Sequence, residues 1–266
     1  MILLPQVRGV MARREVLATL VRRDLTVRYA GSPIGYLWTI IDPLAMSLIY
    51  FAVFGLIFKQ RGAGYQPYVL FIIVGVLVWQ WFSQCVNETA RALQAEARLV
   101  RSNNLPRELW VVRVVIAKGI EFIFSLPVLA AFTIFFVLKG EAQLHYRLLL
   151  LPIAVVIQFL LSVGIGLILA PVTVLFNDTA RIVRIALRVG FYATPIIYGS
   201  HALPATARDV LMFNPMTGIL EMYRCGFFPA ELNWPAVIVS VVITLVTLVV
   251  GTRLFQKLEP AVLKEI

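Results

Sequence analysis

A run of about 20 apolar residues, wound as a helix, is as long as the hydrocarbon core of a bilayer is thick. This chain carries apolar runs at about 37–58, 68–86, 111–138, 148–176, 182–199 and 234–254. The fifth is the weakest, because it contains Arg184 and Arg188 and is interrupted by Thr194-Pro195. No long polar segment between the runs offers a second domain, and no internal repeat is evident. Charged residues make up only 14% of the chain and hydrophobic ones 60%, whereas a soluble domain carries about 25% charge. A soluble core of this length could not hide so much apolar surface. The predicted fold class is an all-α integral membrane protein of six transmembrane helices. It forms one domain over 1–266, with a six-helix membrane region at 37–256 and a cytoplasmic tail at 257–266.

The basic residues set the orientation. Arg8, Arg13, Arg14, Arg22, Arg23 and Arg28 precede the first run, and Arg91, Arg98, Arg101, Arg107 and Arg113 cluster between or beside the second and third. Arg181, Arg184 and Arg188 open the fifth, and Arg253, Lys257 and Lys264 follow the sixth. The alternate segments hold only Lys59, Arg61, Lys139, Arg147, Arg208 and Arg224. Cytoplasmic loops of membrane proteins carry the Lys and Arg excess, so both termini are predicted in the cytoplasm, as an even number of spans requires. The net charge of +10 therefore bears on topology. A nucleic-acid surface would need a soluble fold with aromatics interleaved among the basic residues, and no nucleic-acid partner is expected. The first apolar run begins too far in for a cleavable signal. Cys85 and Cys225 form no pairing or CxxC pattern, so neither a disulfide framework nor a metal site is indicated.

Residues 1–35 read as a cytoplasmic interfacial segment. Leu17, Leu20, Val21 and Leu25 share one face at helical spacing, with Glu15, Thr19, Arg22, Arg23 and Thr26 largely on the other. Such a helix can lie in the membrane interface with its arginines at the headgroups. The alternative is a simple basic flank that orients the first span. Gly31-Ser32-Pro33 is a turn signal that would redirect the chain into the bilayer.

Charges inside membrane runs are costly and mark candidate sites. The candidates among them are Asp42, Lys118, Glu121, Arg184 and Arg188. Asp42 lies one turn beyond Trp38, where it either caps a break at Pro43 or pairs with an arginine of the interfacial helix. Lys118 and Glu121 are spaced to pair along one helix. The fifth-run arginines, Arg181 among them, have a structural salt-bridge reading and a reading as contacts for an anionic headgroup. Trp79 and Trp81 read as interfacial-belt residues or as part of an entrance with Arg22, Arg23, Arg28 and Trp38. Ser162, Gly166 and Ala170, and Ser240, Thr244, Thr247 and Gly251, are small-residue stripes for close helix packing.

The stretch "RRDLTVRYAGSPIGYLW" followed by Asp42-Pro43-Leu44 resembles the N-terminal signature of permease subunits of ABC-2 type polysaccharide exporters. "RLVRSNNLPREL", "FNDTARIVRIALRVGFYATPIIY", "FNPMTGILEMYR" and the tail "FQKLEPAVLKEI" are similar to later parts of that family, in the same order. The resemblance implies export of a lipid-linked glycan of the O-antigen, capsule or teichoic-acid type from the bacterial cytoplasmic (inner) membrane. It implies a homodimer working with two copies of a separate ABC ATPase subunit, which would hold the ATP and Mg. This chain has no phosphate-cradling GxxxxGK[ST] loop, so it is expected to bind no cofactor and to be no enzyme.

The resemblance also makes the polar 87–110 segment a coupling helix that docks in the ATPase. Its candidate residues are Arg91, Glu96, Arg98, Arg101, Asn103, Asn104, Pro106 and Arg107; a solvated charged loop is the alternative. Tyr36, Ser47, Tyr50, Phe54 and Phe58 fall on one stripe of the first run, with Phe51 adjacent. Aromatic faces offer low-entropy stacking surfaces for a sliding polymer, though the same residues serve equally as core or lipid-facing packing. Residues 199–233, cut by Pro204, Asn214-Pro215 and Pro229, are expected to form short re-entrant or gate helices at the extracytoplasmic mouth. Two other functions stand beside the polysaccharide exporter. One is an ABC-2 permease for a drug or lipid; the other is an integral-membrane enzyme acting on lipid-linked sugars. The enzyme would need clustered acids or histidines, and His145 and His201 are isolated.

Overall fold

The computed structural model describes residues 9, 12–32, 34–50, 52–53, 65–103, 105–200 and 203–266, with the side chains of Tyr29, Tyr36 and Glu231 outside that description. All regular structure among them is helical. The α-helices are α1 (Arg14–Tyr29), α2 (Trp38–Tyr50), α3 (Tyr68–Thr89), α4 (Ala92–Ala95), α5 (Ala97–Ser102) and α6 (Glu108–Leu138). They continue as α7 (Leu151–Leu175), α8 (Thr179–Tyr192), α9 (Ala205–Met212), α10 (Pro215–Arg224) and α11 (Trp234–Glu265). Four are long and apolar enough to cross a membrane: α3, α6, α7 with its leading turn from Tyr146, and α11; α2 is a shorter apolar helix.

The core forms around α3, which packs against α2, α6, α7, α8 and α10. Leu70, Phe71, Ile73 and Cys85 along it are wholly buried. The other long helices bury one stripe and expose the rest. Ile123, Ile134 and Phe135 of α6, Ile153 and Val156 of α7, and Ile238, Val242 and Val246 of α11 all face outward. A soluble surface rarely shows such continuous apolar patches, whereas lipid accepts them.

Helix α11 lies closely along α7. A Cβ on Gly251 would strike the carbonyl oxygen of Gly164, and one on Gly164 would meet the backbone of Leu248 at 2.9 Å. Small residues permit this approach. Of the two small-residue stripes, the one on α11 faces its helical neighbours, with Ser240 beside Gly218 of α10. Gly166 instead fits against Val111 and Thr89, so the α7 stripe faces α6 and α3, and Gly164 makes the α11 contact. Pro43, Pro127, Pro171 and Pro260 lie inside helices, as neighbouring helices allow in membrane folds.

Two stretches differ from the sequence expectation in form. The fifth run folds as a 14-residue amphipathic α8 ending at Tyr192, followed by turns through residue 198. Exposed Arg181, Arg184 and Arg188 line its surface, and a helix this short does not span a bilayer by itself. The helix of the sixth run goes on through the tail after 257, continuing α11 to Glu265, where Val262 is buried.

Hydrogen bonds show which segments share an end. The Gln94 amide donates to the Thr173 carbonyl at 2.9 Å, and Arg107 pairs with Glu259 at 3.5 Å. The 90–107 segment, the α7–α8 junction and the end of α11 therefore sit together. At the opposite end, the His145 N–H donates to the Gly226 carbonyl at 2.9 Å and Arg147 to the Pro229 carbonyl at 2.7 Å. The segments carrying the basic excess thus gather at one end of the bundle.

Candidate functional site

Helix α1 ends at Tyr29, and the chain turns through Gly31, whose φ of 78° suits a residue without Cβ. Ser32 stabilises the turn by accepting from the Gly35 N–H at 3.2 Å. This reversal lays α1 against α6 and sends α2 up beside α3 and α6. On α1, Leu17, Leu20, Val21 and Leu25 turn inward, while Glu15, Thr19, Arg22 and Thr26 are exposed.

Between α1, α2, α3 and α6 lies a cavity of about 860 Å³. It collects Arg28, Trp38, Asp42, Trp81, Lys118 and Glu121, which the sequence divides between entrance and intramembrane candidates, together with Gln80, Gln84 and Glu88. Lys118 is only 2% exposed at its side chain, with Nζ 3.0 Å from Glu88 Oε1 and 2.8 Å from Glu121 Oε2. Arg28 reaches the same two carboxylates, through Nη2 to Glu88 at 2.7 Å and Nε to Glu121 at 3.1 Å. A buried charge persists only when paired, and here each cation has two partners. Asp42 is exposed to the cavity and has no ion pair among the described residues. Arg28 of α1 is already committed to Glu88 and Glu121.

A second cavity of about 750 Å³ lies nearer the basic end, lined by Arg23, Asp24, Arg91, Glu96, Arg113 and Arg184 among others. Arg113, 5% exposed, is 3.3 Å from Asp24 Oδ1 and 3.2 Å from Glu96 Oε1. Arg23 pairs with the same two acids. Glu96 also marks a break: with φ −119° and ψ 27° it separates α4 from α5. The expected coupling helix is therefore two short helices around one inward-held carboxylate. Arg91, Arg98, Arg101 and Asn103 are exposed, Pro106 and Arg107 are half-buried, and Asn104 lies outside the described residues.

The stripe on the first run is visible only in part. Ser47 is buried, its hydroxyl without a hydrogen-bond partner among the described residues, and Tyr50 is half-buried against the core. Phe51, Phe54, Phe58 and the Tyr36 side chain lie outside the described residues. Trp79 is buried between α3 and α8, tilted against Phe82 and edge-on to Phe191. Trp81 is buried and stacked on Phe122 at 4.7 Å. Both serve as packing, and Trp81 also borders the larger cavity. Trp38 is 40% exposed.

At the other end of the bundle, the structure brings out a pair that the sequence reading passed over. Arg224 is fully buried; it donates to the carbonyls of Pro195 and Ile196 at 2.6 Å each and of Phe71 at 3.2 Å. Its guanidinium lies 3.5 Å over the Phe71 ring. Glu221 accepts from the Asn233 N–H at 3.1 Å and from the Ser200 hydroxyl at 3.4 Å. Burial pushes its carboxyl up to about 7, with those donors and Arg224 opposing the rise. Glu221 and Arg224, three apart in a short segment opened by Asn214-Pro215, were the available signal.

Residues 15–228 match the family described as ABC-2 type transporter. The chain is 29% identical to an O-antigen export system permease protein of Klebsiella pneumoniae over 92% of both chains. It is 30% identical to one of Myxococcus xanthus over 85% of both. It is also similar to a polysialic acid transport protein of Escherichia coli, 26% identical over 96% of this chain and 98% of that one.

Proposed function

The chain belongs to the ABC-2 type transporter family, and on that premise we propose that it is the membrane subunit of an exporter of lipid-linked polysaccharide. The carrying observation is similarity along nearly the whole chain to permeases named for O-antigen and polysialic acid transport. In this reading it works in the bacterial inner membrane as a homodimer with two copies of an ABC ATPase, which binds ATP and Mg. Both termini are cytoplasmic, in keeping with the gathering of basic segments at one end. The first of the six spans includes α2, and the fifth includes α8 with the turns after it. Exposed Leu48 and Ile49 on α2 and Ile182, Ile185 and Val189 on α8 suit a second copy as neighbour. Arg91, Arg98 and Arg101 form the docking edge for the ATPase, the conduit runs along the Tyr50 stripe, and α9 and α10 border the outer mouth.

The test is removal of the chain from its host. Surface polysaccharide should disappear, polymer should accumulate inside the cell, and a plasmid copy should restore export. Unchanged surface polymer, or loss of a drug or lipid efflux activity in its place, would refute the proposal.

A further inference from the structure

We infer that the cavity between α2, α3 and α6 holds a sugar unit of the exported chain, bound through its hydroxyl groups rather than through a phosphate. This rests on the polysaccharide reading above and assigns it a site within one subunit, apart from the Tyr50 stripe.

Charge decides against a phosphate. A phosphate site presents Arg or Lys donors that the ligand can engage. Here Arg28 and Lys118 are each held by Glu88 and Glu121, and Asp42 adds a third carboxylate to the walls. Three acids against two paired cations repel an anionic headgroup. The same three-to-two balance repels the phosphate of a membrane phospholipid.

The remaining polar groups fit hydroxyls. Asp42 is an acceptor, and the Gln80 and Gln84 amides each offer donors and acceptors. None of these three side chains makes a hydrogen bond among the described residues, and all three face the cavity. Trp38, 40% exposed on the same wall, supplies an apolar face against which the C–H side of a pyranose ring can lie. At about 860 Å³, the cavity falls within the range of about 300–1,000 Å³ common for small-ligand sites.

The experiment places single reporter cysteines in the cavity of the complete permease–ATPase complex in lipid nanodiscs. Met46→Cys and Ala45→Cys both line the cavity without removing a proposed hydroxyl contact, and native Cys85 and Cys225 are buried, so a neutral maleimide reports on the new thiols. Two variants are used so that one that fails to assemble does not end the test. Ser102→Cys, exposed on the 90–107 segment, is the control. The probe is oligosaccharide released by mild acid from the host's own surface polysaccharide; the comparators are inorganic pyrophosphate and nanodiscs enriched in phosphatidylglycerol. Oligosaccharide at twice its dissociation constant should slow cavity labelling about threefold, as site occupancy requires. Ser102→Cys should be unaffected, and neither comparator should protect. Protection by pyrophosphate or by the anionic lipid would overturn the assignment, as would no protection by oligosaccharide. If deletion of the chain abolishes export while the cavity stays unprotected, only the present inference fails. If deletion leaves surface polymer intact, the exporter reading itself fails.

Discussion

On the proposal that the 90–107 segment couples to an ATPase subunit, replacing Glu96 should separate docking of that subunit from transmission of its stroke. Glu96 pairs with Arg23 of α1 and Arg113 of α6, so it ties the 90–107 segment to two parts of the bundle. Glu96→Gln keeps the side chain's size and removes its charge. Arg113, 5% exposed, then keeps only Asp24 at 3.3 Å. Stripping a buried charge of all its partners costs about 3–5 kcal/mol. With Asp24 retained, we expect roughly half that, about 2 kcal/mol, or a thirtyfold rise in the population with the segment detached. By contrast, Arg98 and Arg101 are exposed and form no ion pair among the described residues, so their loss should leave the fold within about 0.5 kcal/mol. In reconstituted vesicles, Glu96→Gln should retain the ATPase subunit and hydrolyse ATP at near-native rate while moving about tenfold less polymer per ATP. Arg98→Glu with Arg101→Glu should instead lose the ATPase subunit on purification. An unchanged ratio of polymer to ATP in Glu96→Gln would sink the reasoning, and so would loss of the ATPase subunit from that variant alone.

Two further outcomes follow from packing and titration. The folded protein holds the Glu221 proton up to about pH 7, whereas an unfolded glutamate releases it near about pH 4.3. The folded state therefore binds more protons in that window, and stability should fall as pH rises from about 5 to 8. Thermal unfolding in detergent should show this decline in the native protein and a shallower one in Glu221→Gln; equal slopes would remove Glu221 as its source. Gly251→Leu drives a side chain into the Gly164 carbonyl and should cost about 1–3 kcal/mol through overpacking, read as a lower unfolding temperature, with an unchanged temperature as the contrary result.

Apolar length carried the four long helices, because α3, α6, α7 and α11 owe their form to runs that stand out in one dimension. The fifth run differs in form for a physical reason. Its apolar residues from Ile182 to Phe191 read as a span, but Arg181, Arg184 and Arg188 recur at helical spacing on one exposed face and make α8 an amphipathic helix of 14 residues. Partners were far less legible. Lys118–Glu121 was readable at three residues' spacing, whereas Arg23–Glu96 and Arg28–Glu88 join residues 73 and 60 positions apart. Local periodicity is silent on such pairs. The tryptophans show the same limit: whether Trp79 meets lipid or Phe191 depends on where α8 packs, which the composition of α3 does not determine.

Both ionic clusters draw on one helix. Arg23 and Asp24 of α1 join Glu96 and Arg113, while Arg28 of the same helix joins Glu88 and Glu121. Asp24 and Arg28 are four residues apart, so they lie along one face one turn from each other. A rigid helix displaced at one turn moves at the next. On the proposal that the 90–107 segment couples to the ATPase, a pull through Glu96 would load Arg28, whose bonds to Glu88 and Glu121 close the basic-end wall of the larger cavity. The acids that keep this wall electrically neutral are also those that fasten it to α3 and α6. A substitution there alters charge and position together, whereas Gln80, Gln84 and Asp42 can be changed without loosening α1. On the proposed site, that difference is why reporter residues belong on the α2 wall, and why changes at Glu88 or Glu121 would report on coupling and ligand binding at once.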